Sequence, residues 1–196
     1  MMTKILLIGD VHGKFEELDA VLEAEKPFDF FISVGDVGTT EDVTPENIKI
    51  IDKWQKEGYF VKGNHDNAEF FTRLVSYQVI NGLAIAGLNG LLNKKTFRSV
   101  LNISHMINVD ILVTHQAPYG MFEGKGELVL RDLLNYISPS IYVFGHVHAY
   151  KTKFHKNTFC ISLPMIHKGY GVAYFEEKKL TNLEITLKKG KQIIRI

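Results

Sequence analysis

Five times in this chain a short apolar run ends abruptly in a polar cluster drawn from Asp, His and Asn. ILLIGDVHG delivers Asp10 and His12, and FISVGDVG delivers Asp36. YFVKGNHD delivers Asn64, His65 and Asp66, ILVTHQAP delivers His115, and YVFGHVH delivers His146 and His148. Short runs rich in Ile, Val, Phe and Tyr, closed by Gly or a polar cluster, read as buried strands. Four of the five clusters carry a Gly just before the first polar residue, where the backbone must turn sharply or approach a ligand closely. A chain that repeats this unit must align several strands and gather their polar ends on one side.

The segments between these runs carry helical periodicity. Phe15–Glu25 sets Phe15, Leu18, Val21 and Leu22 on one face. Pro45 after Thr44 opens a second helix, reaching about Lys56 with Ile48, Ile51 and Trp54 as its apolar face. Further helices are expected near Ala68–Leu74, over Phe97–Met106 and over Glu127–Tyr136. Strands are expected at Thr3–Ile8, Phe28–Val34, Tyr59–Lys62, Asp110–Val113 and Ile141–Phe144. Val79–Ile80 and Leu83–Ala86 flank Asn81-Gly82 as a hairpin. After Tyr150 the helical pattern stops. Phe159–Leu163, Val172–Glu176, Leu183–Leu187 and Gln192–Ile196 follow as a meander, with EEKK as one of its turns. Alternating β and α followed by β predicts an α/β fold, with two packed sheets and helices outside.

Length and composition narrow the class. The chain has 196 residues, enough for one domain over 1–196 and too few for two ordinary ones, and no repeat or linker divides it. The net charge of +1 gives no overall field toward nucleic acid, membranes or acidic partners. The apolar run near the N-terminus, Ile5 to Ile8, is too short for a signal peptide, so the expectation is a cytoplasmic protein. Cys160 stands alone, which excludes an internal disulfide, and in TFCISL it reads as a small buried hydrophobe.

In open α/β sheets ligands collect beyond the carboxyl ends of the strands, where all five clusters fall. In an extended segment residues two apart face the same way, so Asp10 with His12, and His146 with His148, can each converge on a centre. A mixed set of imidazole, carboxylate and amide donors suits Mn, Fe or Zn better than Mg or Ca. Any one cluster alone is more commonly a turn. Five in succession, holding five of the eight His residues, are hard to obtain from solvated loops.

GDVHG, GDVG, GNHD, TH and GHVH, in this order from residue 9 to 148, resemble the calcineurin-like metallophosphoesterase superfamily, in particular its small single-domain prokaryotic members. The resemblance implies a four-layer α/β/β/α sandwich of two mixed sheets. It further implies two divalent metal ions, Mn2+ ahead of Fe, Zn or Ni. Asp36 would bridge them, with Asp10, His12 and His148 on the first and Asn64, His115 and His146 on the second. A metal-bridging hydroxide would be the nucleophile, since two such ions activate water and clamp both ends of a displacement at phosphorus. His65 would be catalytic without binding metal, contacting the phosphoryl oxygens beside Asn64 or protonating the leaving alkoxide.

One departure matters. Protein phosphatases of this superfamily carry an Asp and an Arg soon after the second motif, where this chain has Thr39 and Thr40 in GDVGTTED. Asp66 is a poor geometric substitute for the missing carboxylate. The expected activity is therefore a phosphodiesterase on small phosphate esters of nucleotide or model type. Its alternatives are a phosphomonoesterase, a protein phosphatase or a scaffold without activity. A nuclease is disfavoured by the lack of a basic surplus. The loop HQAPYGMFEGKGE, with Gly120, Gly124 and Gly126, is either a mobile rim whose Tyr119 or Phe122 stacks on a base, or an ordinary flexible loop. Lys94, Lys95 and Arg98 read as a solvated helix start, and His105, His155 and His167 as surface or core histidines.

Overall fold

The computed structural model describes residues 2–74, 77–92, 108–188 and 190–195. The helix expected over Phe97–Met106, together with Lys94, Lys95, Arg98 and His105, lies outside the described residues. In the first sheet, β1 (Met2–Ile8), β2 (Phe30–Ser33), β3 (Gly58–Phe60) and β4 (Thr72–Arg73) run parallel. On the far side of β1 follow β11 (Gly169–Glu176), β12 (Lys179–Leu187) and β13 (Gly190–Arg195), all antiparallel to their neighbours, in the order β13-β12-β11-β1-β2-β3-β4. The second sheet has the order β5-β6-β7-β8-β10-β9. It is formed by β5 (Gln78–Ile80), β6 (Leu83–Leu88), β7 (Ile111–Thr114), β8 (Ile141–Phe144), β9 (Lys151–His155) and β10 (Thr158–Ser162). Its centre is parallel and each edge pair antiparallel.

The two-residue period of the strands distributes the apolar side chains among three seams. Ile5 and Leu7 of β1 share one cluster with Ile111 and Val113 of β7 and Ile141 and Val143 of β8, so this seam lies between the sheets. Leu6 and Ile8 face the opposite way, toward Phe15 and Leu18 of α1 (Phe15–Ala24) and Ile51 and Trp54 of α2 (Pro45–Trp54). Leu112, Tyr142 and Phe144 of the second sheet meet Leu130, Leu133 and Ile137 of α3 (Leu128–Ile137). The result is helix, sheet, sheet, helix: the α/β/β/α sandwich of two mixed sheets. Each fully buried Leu, Ile, Val or Phe in these seams contributes about 1.5–3 kcal/mol.

Local signals place the elements. Thr44 accepts a hydrogen bond from the Asn47 N–H (3.2 Å), and Pro45 occupies the first turn of α2. Asn81 and Gly82 both have positive φ (49° and 80°), the hairpin turn expected between β5 and β6.

Three expectations are corrected. Residues Ala68–Leu74 form no helix; the chain runs extended into β4 along the edge of β3. The unpaired edge of β3 prevails over local helix preference, as the Leu74 N–H donates to the Phe60 carbonyl (2.8 Å). Phe70 and Phe71 are buried as expected, against Phe15 and Phe31. The strand β9 went unpredicted because KTKFH lacks an apolar alternation. It is an exposed edge, and lysines there discourage further pairing. The tail is also not one meander. β9 and β10 complete the second sheet, and a turn at Ile166–Lys168 carries the chain back to the first.

Candidate metal centre

β1, β2 and β3 of one sheet and β7 and β8 of the other release their polar clusters at a common end. Two groups of ligand-capable atoms form there, each within 4.8 Å: Asp10, His12, Asp36 and His148, and Asp36, His115 and His146. Asp36 belongs to both. In the first, His148 Nε2 lies 2.8 Å from Asp10 Oδ2 and 3.3 Å from His12 Nε2. In the second, His115 Nε2 lies 3.3 Å from Asp36 Oδ2, 3.1 Å from His146 Nδ1 and 3.0 Å from Asn64 Oδ1. All seven residues that the sequence offered as ligands are therefore brought together, His146 and His148 in different groups. Asp10, Asp36 and His115 are buried, while Asn64, His65 and His146 face solvent.

Hydrogen bonds outside each group orient the atoms inside it. His115 Nδ1–H donates to the Val34 carbonyl (2.9 Å), which directs Nε2 at Asp36, Asn64 and His146. Asp36 Oδ1 accepts from the His65 N–H (2.9 Å), leaving Oδ2 for the centre. The Asp10 carboxylate accepts from the His146 N–H (3.2 and 3.3 Å). With its Nδ1–H committed, His115 Nε2 turns its lone pair toward the Asp36 and Asn64 oxygens and the His146 ring, a cluster of donor atoms that a cation would satisfy. This donor set fits divalent ions of the Mn, Fe or Zn kind.

The charges are unevenly settled. Burial pushes the Asp10 carboxyl up to about 7, with Asp36 adding and His115 opposing. Burial pushes Asp36 the same way, yet its hydrogen bond and attraction to His115 and the His65 N–H outweigh this and hold it at about 2. His115 is lowered by burial but raised on balance by Asp36 and Asp10. His146 and His148 are lowered, first by burial and then by neighbouring imidazoles.

The backbone differs from the extended geometry inferred from Asp-x-His and His-x-His spacing. His12, Asp36, His146 and His148 have φ of 47°, 49°, 65° and 58°, a left-handed region costing about 1–3 kcal/mol per non-glycine residue. The cost is offset where loops are tied together: the Asp36 carbonyl accepts from the N–H groups of Val11 (3.0 Å) and His12 (2.8 Å). Convergence thus arises from tightly curled strand ends rather than from strand alternation. No signal in the spacing reveals it.

Around the centre, Thr39 caps a short turn through Asp42, and the Thr40 N–H donates to Asn67 (2.6 Å), so these positions brace the loop without supplying charge. Asp66 accepts from the N–H groups of Gly63 (2.8 Å) and Gly38 (3.0 Å) and holds two ligand-bearing loops together. The His65 ring lies 5.6 Å from that of His12. Sequence reasoning missed the residues of a pocket of about 340 Å³ beside His146, lined by Gln116, Lys125 and Glu127 among others. Tyr119 and Phe122 are not among its lining residues. Their rings lie beneath the Arg131 guanidinium and the Lys151 ammonium. His155 lies on β9 and His167 in the 166–168 turn, both outside the centre.

The family model for calcineurin-like phosphoesterases matches residues 3–150. No curated protein matches by sequence. Among solved structures, a conserved protein of Streptococcus pneumoniae TIGR4 described as a predicted phosphoesterase aligns over 100% of this chain and 99% of its own, at 11% identity and TM-score 0.58. The protein TT1561 of Thermus thermophilus aligns over 100% and 99%, at 11% identity and TM-score 0.69. Vps29 of Entamoeba histolytica, solved with zinc, aligns over 99% and 98%, at 13% identity and TM-score 0.59. At these identities the likeness establishes the shared fold.

Proposed function

The chain belongs to the calcineurin-like phosphoesterase family, and from that premise we propose that it is a metal-dependent phosphodiesterase acting on small phosphate esters. One observation carries the reading: two groups of donors converge on the shared Asp36 carboxylate. Asp10, His12, Asp36 and His148 would hold one divalent ion, and Asp36, Asn64, His115 and His146 a second. When bound, such ions supply Lewis acidity toward the phosphoryl oxygens and an activated water as nucleophile.

The chain's own residues do the rest. Asp36 and Asp10 bring negative charge that a pair of divalent ions exceeds, so an anionic ester is attracted to the loaded centre. Asn64 fixes the second group through its amide oxygen, 3.0 Å from His115 Nε2. His65 is exposed, its ring 5.6 Å from that of His12, and in this reading it would contact the phosphoryl group or protonate the departing alkoxide. General acid help of this kind is worth about 10²–10⁴-fold. The alcohol portion of the substrate would lie in the pocket beside His146, which carries both the Lys125 ammonium and the Glu127 carboxylate. A lining of mixed charge, with Thr39 and Thr40 in place of a phosphate-gripping Arg, suits a singly charged diester better than a doubly charged monoester.

The test is a screen of mono- and diesters, including 2′,3′- and 3′,5′-cyclic nucleotides, on metal-loaded protein. Chelation should abolish hydrolysis and Mn2+ should restore it, with diesters preferred. Asp36→Asn and His65→Ala should each be strongly impaired. Activity indifferent to chelator, or full turnover by either variant, would sink the assignment.

A further inference from the structure

The 116–127 loop has two limbs. Gln116, Ala117 and Lys125–Glu127 line the pocket beside His146, whereas Pro118–Met121 line a separate cavity of about 230 Å³ against α3, β9 and β10. The floor of this second cavity is apolar: Met121, Leu134 and Cys160 are each buried. Arg131 and Lys153 supply its charge, with His155 beside them, and no carboxylate is among the lining residues described. Arg131 reaches Asp132 at 3.3 Å, but the Asp132 side chain is largely in solvent and that of Arg131 partly so, and such pairs contribute little. Lys153 Nζ donates to the Gly120 carbonyl (3.1 Å), which fixes the ammonium at the loop without neutralising it. His155 Nε2–H donates to Asn135 Oδ1 (2.9 Å). Its pKa is lowered by burial and by the positive charge of Lys156, Lys153 and Arg131, in keeping with a cationic surround.

A buried apolar floor beneath two permanent cations is built for a ligand that is itself apolar at one end and anionic at the other. We propose that this cavity binds a small organic anion with an aromatic or apolar body. The body rests on Met121 and Leu134, and the carboxylate, sulfonate or phosphate end meets Arg131 and Lys153. The site is separate from the metal centre and needs no turnover. It is nevertheless tied to the centre, because the Tyr119 N–H donates to the Glu127 carbonyl (3.0 Å) and the Glu127 N–H to the Ala117 carbonyl (2.9 Å). An occupant that packs on Pro118–Met121 therefore holds the same loop that walls the pocket beside His146.

The experiment is a methyl NMR titration of the whole chain with three probes of one shape: naphthalene-1-sulfonate, 1-naphthalenemethanol and 1-naphthylmethylammonium. The sulfonate should shift the Met121 and Leu134 methyl resonances saturably and bind about tenfold or more tighter than the neutral and cationic probes. Arg131→Gln/Lys153→Gln should weaken it by about tenfold or more. If the double variant does not fold, Lys153→Gln on the exposed edge strand serves in its place. Equal affinity for the three probes, unchanged binding to the variant, or shifts confined to the Ala117 and Val147 methyls of the pocket beside His146 would each overturn the proposal.

Discussion

At the residue scale, two glycines decide how closely the loops approach the carboxylates. A Cβ at Gly63 would collide with the Asp36 carboxylate, and one at Gly145 with that of Asp10. The Gly that precedes these motifs thus serves close approach of backbone to side chain. A Cβ at Gly63 also meets the Asp36 backbone nitrogen, so Gly63→Ala should shift the Asp36 loop at some cost in stability and push its carboxylate off its line. By analogy with groups that orient ligands, Mn2+ affinity should fall about 10–100-fold. Calorimetric titration checks this, and an unchanged affinity would remove Gly63 from the argument. Cys160 makes the opposite kind of prediction. It is buried, and burial pushes its thiol up to about 12, so only about 10⁻⁴ of it is thiolate near pH 8. Ellman's reagent should fail to react with the native protein and should titrate one thiol in denaturant.

At the element scale, the 116–127 loop is the adjustable part of the proposed active site. Lys125 sits between positive-φ glycines, Gly124 and Gly126, and is an exposed side chain of the pocket beside His146. It touches the substrate's periphery in the proposed reading, not the reacting bond. Lys125→Gln should raise KM for anionic diesters several-fold, by about 1 kcal/mol of binding, with kcat nearly constant. A loss confined to kcat would place Lys125 in the chemistry instead. This loop also shows where sequence legibility ends. Strands buried on both faces, such as β1, β7 and β8, announce themselves as unbroken apolar runs, and the polar residues at their ends follow in register. Exposed edges give no such signal, as β9 and β4 show. The contacts that set them, such as the Leu74 N–H to Phe60, are made across the sheet and not along the sequence. The convergence of the candidate ligands at one end of the strands was legible as a list. Their curled backbone, with four left-handed residues, was not, because His and Asp carry no obligate mark of positive φ. Gln116 and Glu127 were silent for a related reason: a polar side chain in a glycine-rich loop looks solvated until the fold turns it toward His146.

At the scale of the molecule, both donor groups span the two sheets. Asp10, His12 and Asp36 follow strands of the first sheet, and His115, His146 and His148 follow strands of the second. An ion held by either group would therefore clamp the whole sandwich, adding stability by mass action rather than through one loop. At a free metal concentration of 100 times Kd the gain is about 2.7 kcal/mol. For a domain of this size that corresponds to a rise in Tm of about 5–10 °C. The gain depends on pH with a definite sign. Burial raises Asp10 to about 7 in the metal-free protein, above its ordinary 3.8, and His115 is raised as well. Below pH 7 Asp10 holds a proton that an ion must displace, and the upward shift of His115 acts in the same sense, while Asp36, at about 2, stays charged throughout. The metal-free fold is also better off when acidic as far as Asp10 is concerned. A group whose pKa is raised by folding contributes stability below its unfolded value and loses it as pH rises through its folded one. Both effects act in the same direction. Thermal melts with and without Mn2+ should show the larger metal-induced shift at pH 8 and a clearly smaller one at pH 5.5. Asp36→Asn, which removes the carboxylate common to both groups, should abolish most of the shift at either pH. Equal shifts at the two pH values, or a full shift in Asp36→Asn, would mean that metal binds elsewhere and that the two sheets are not joined through this centre.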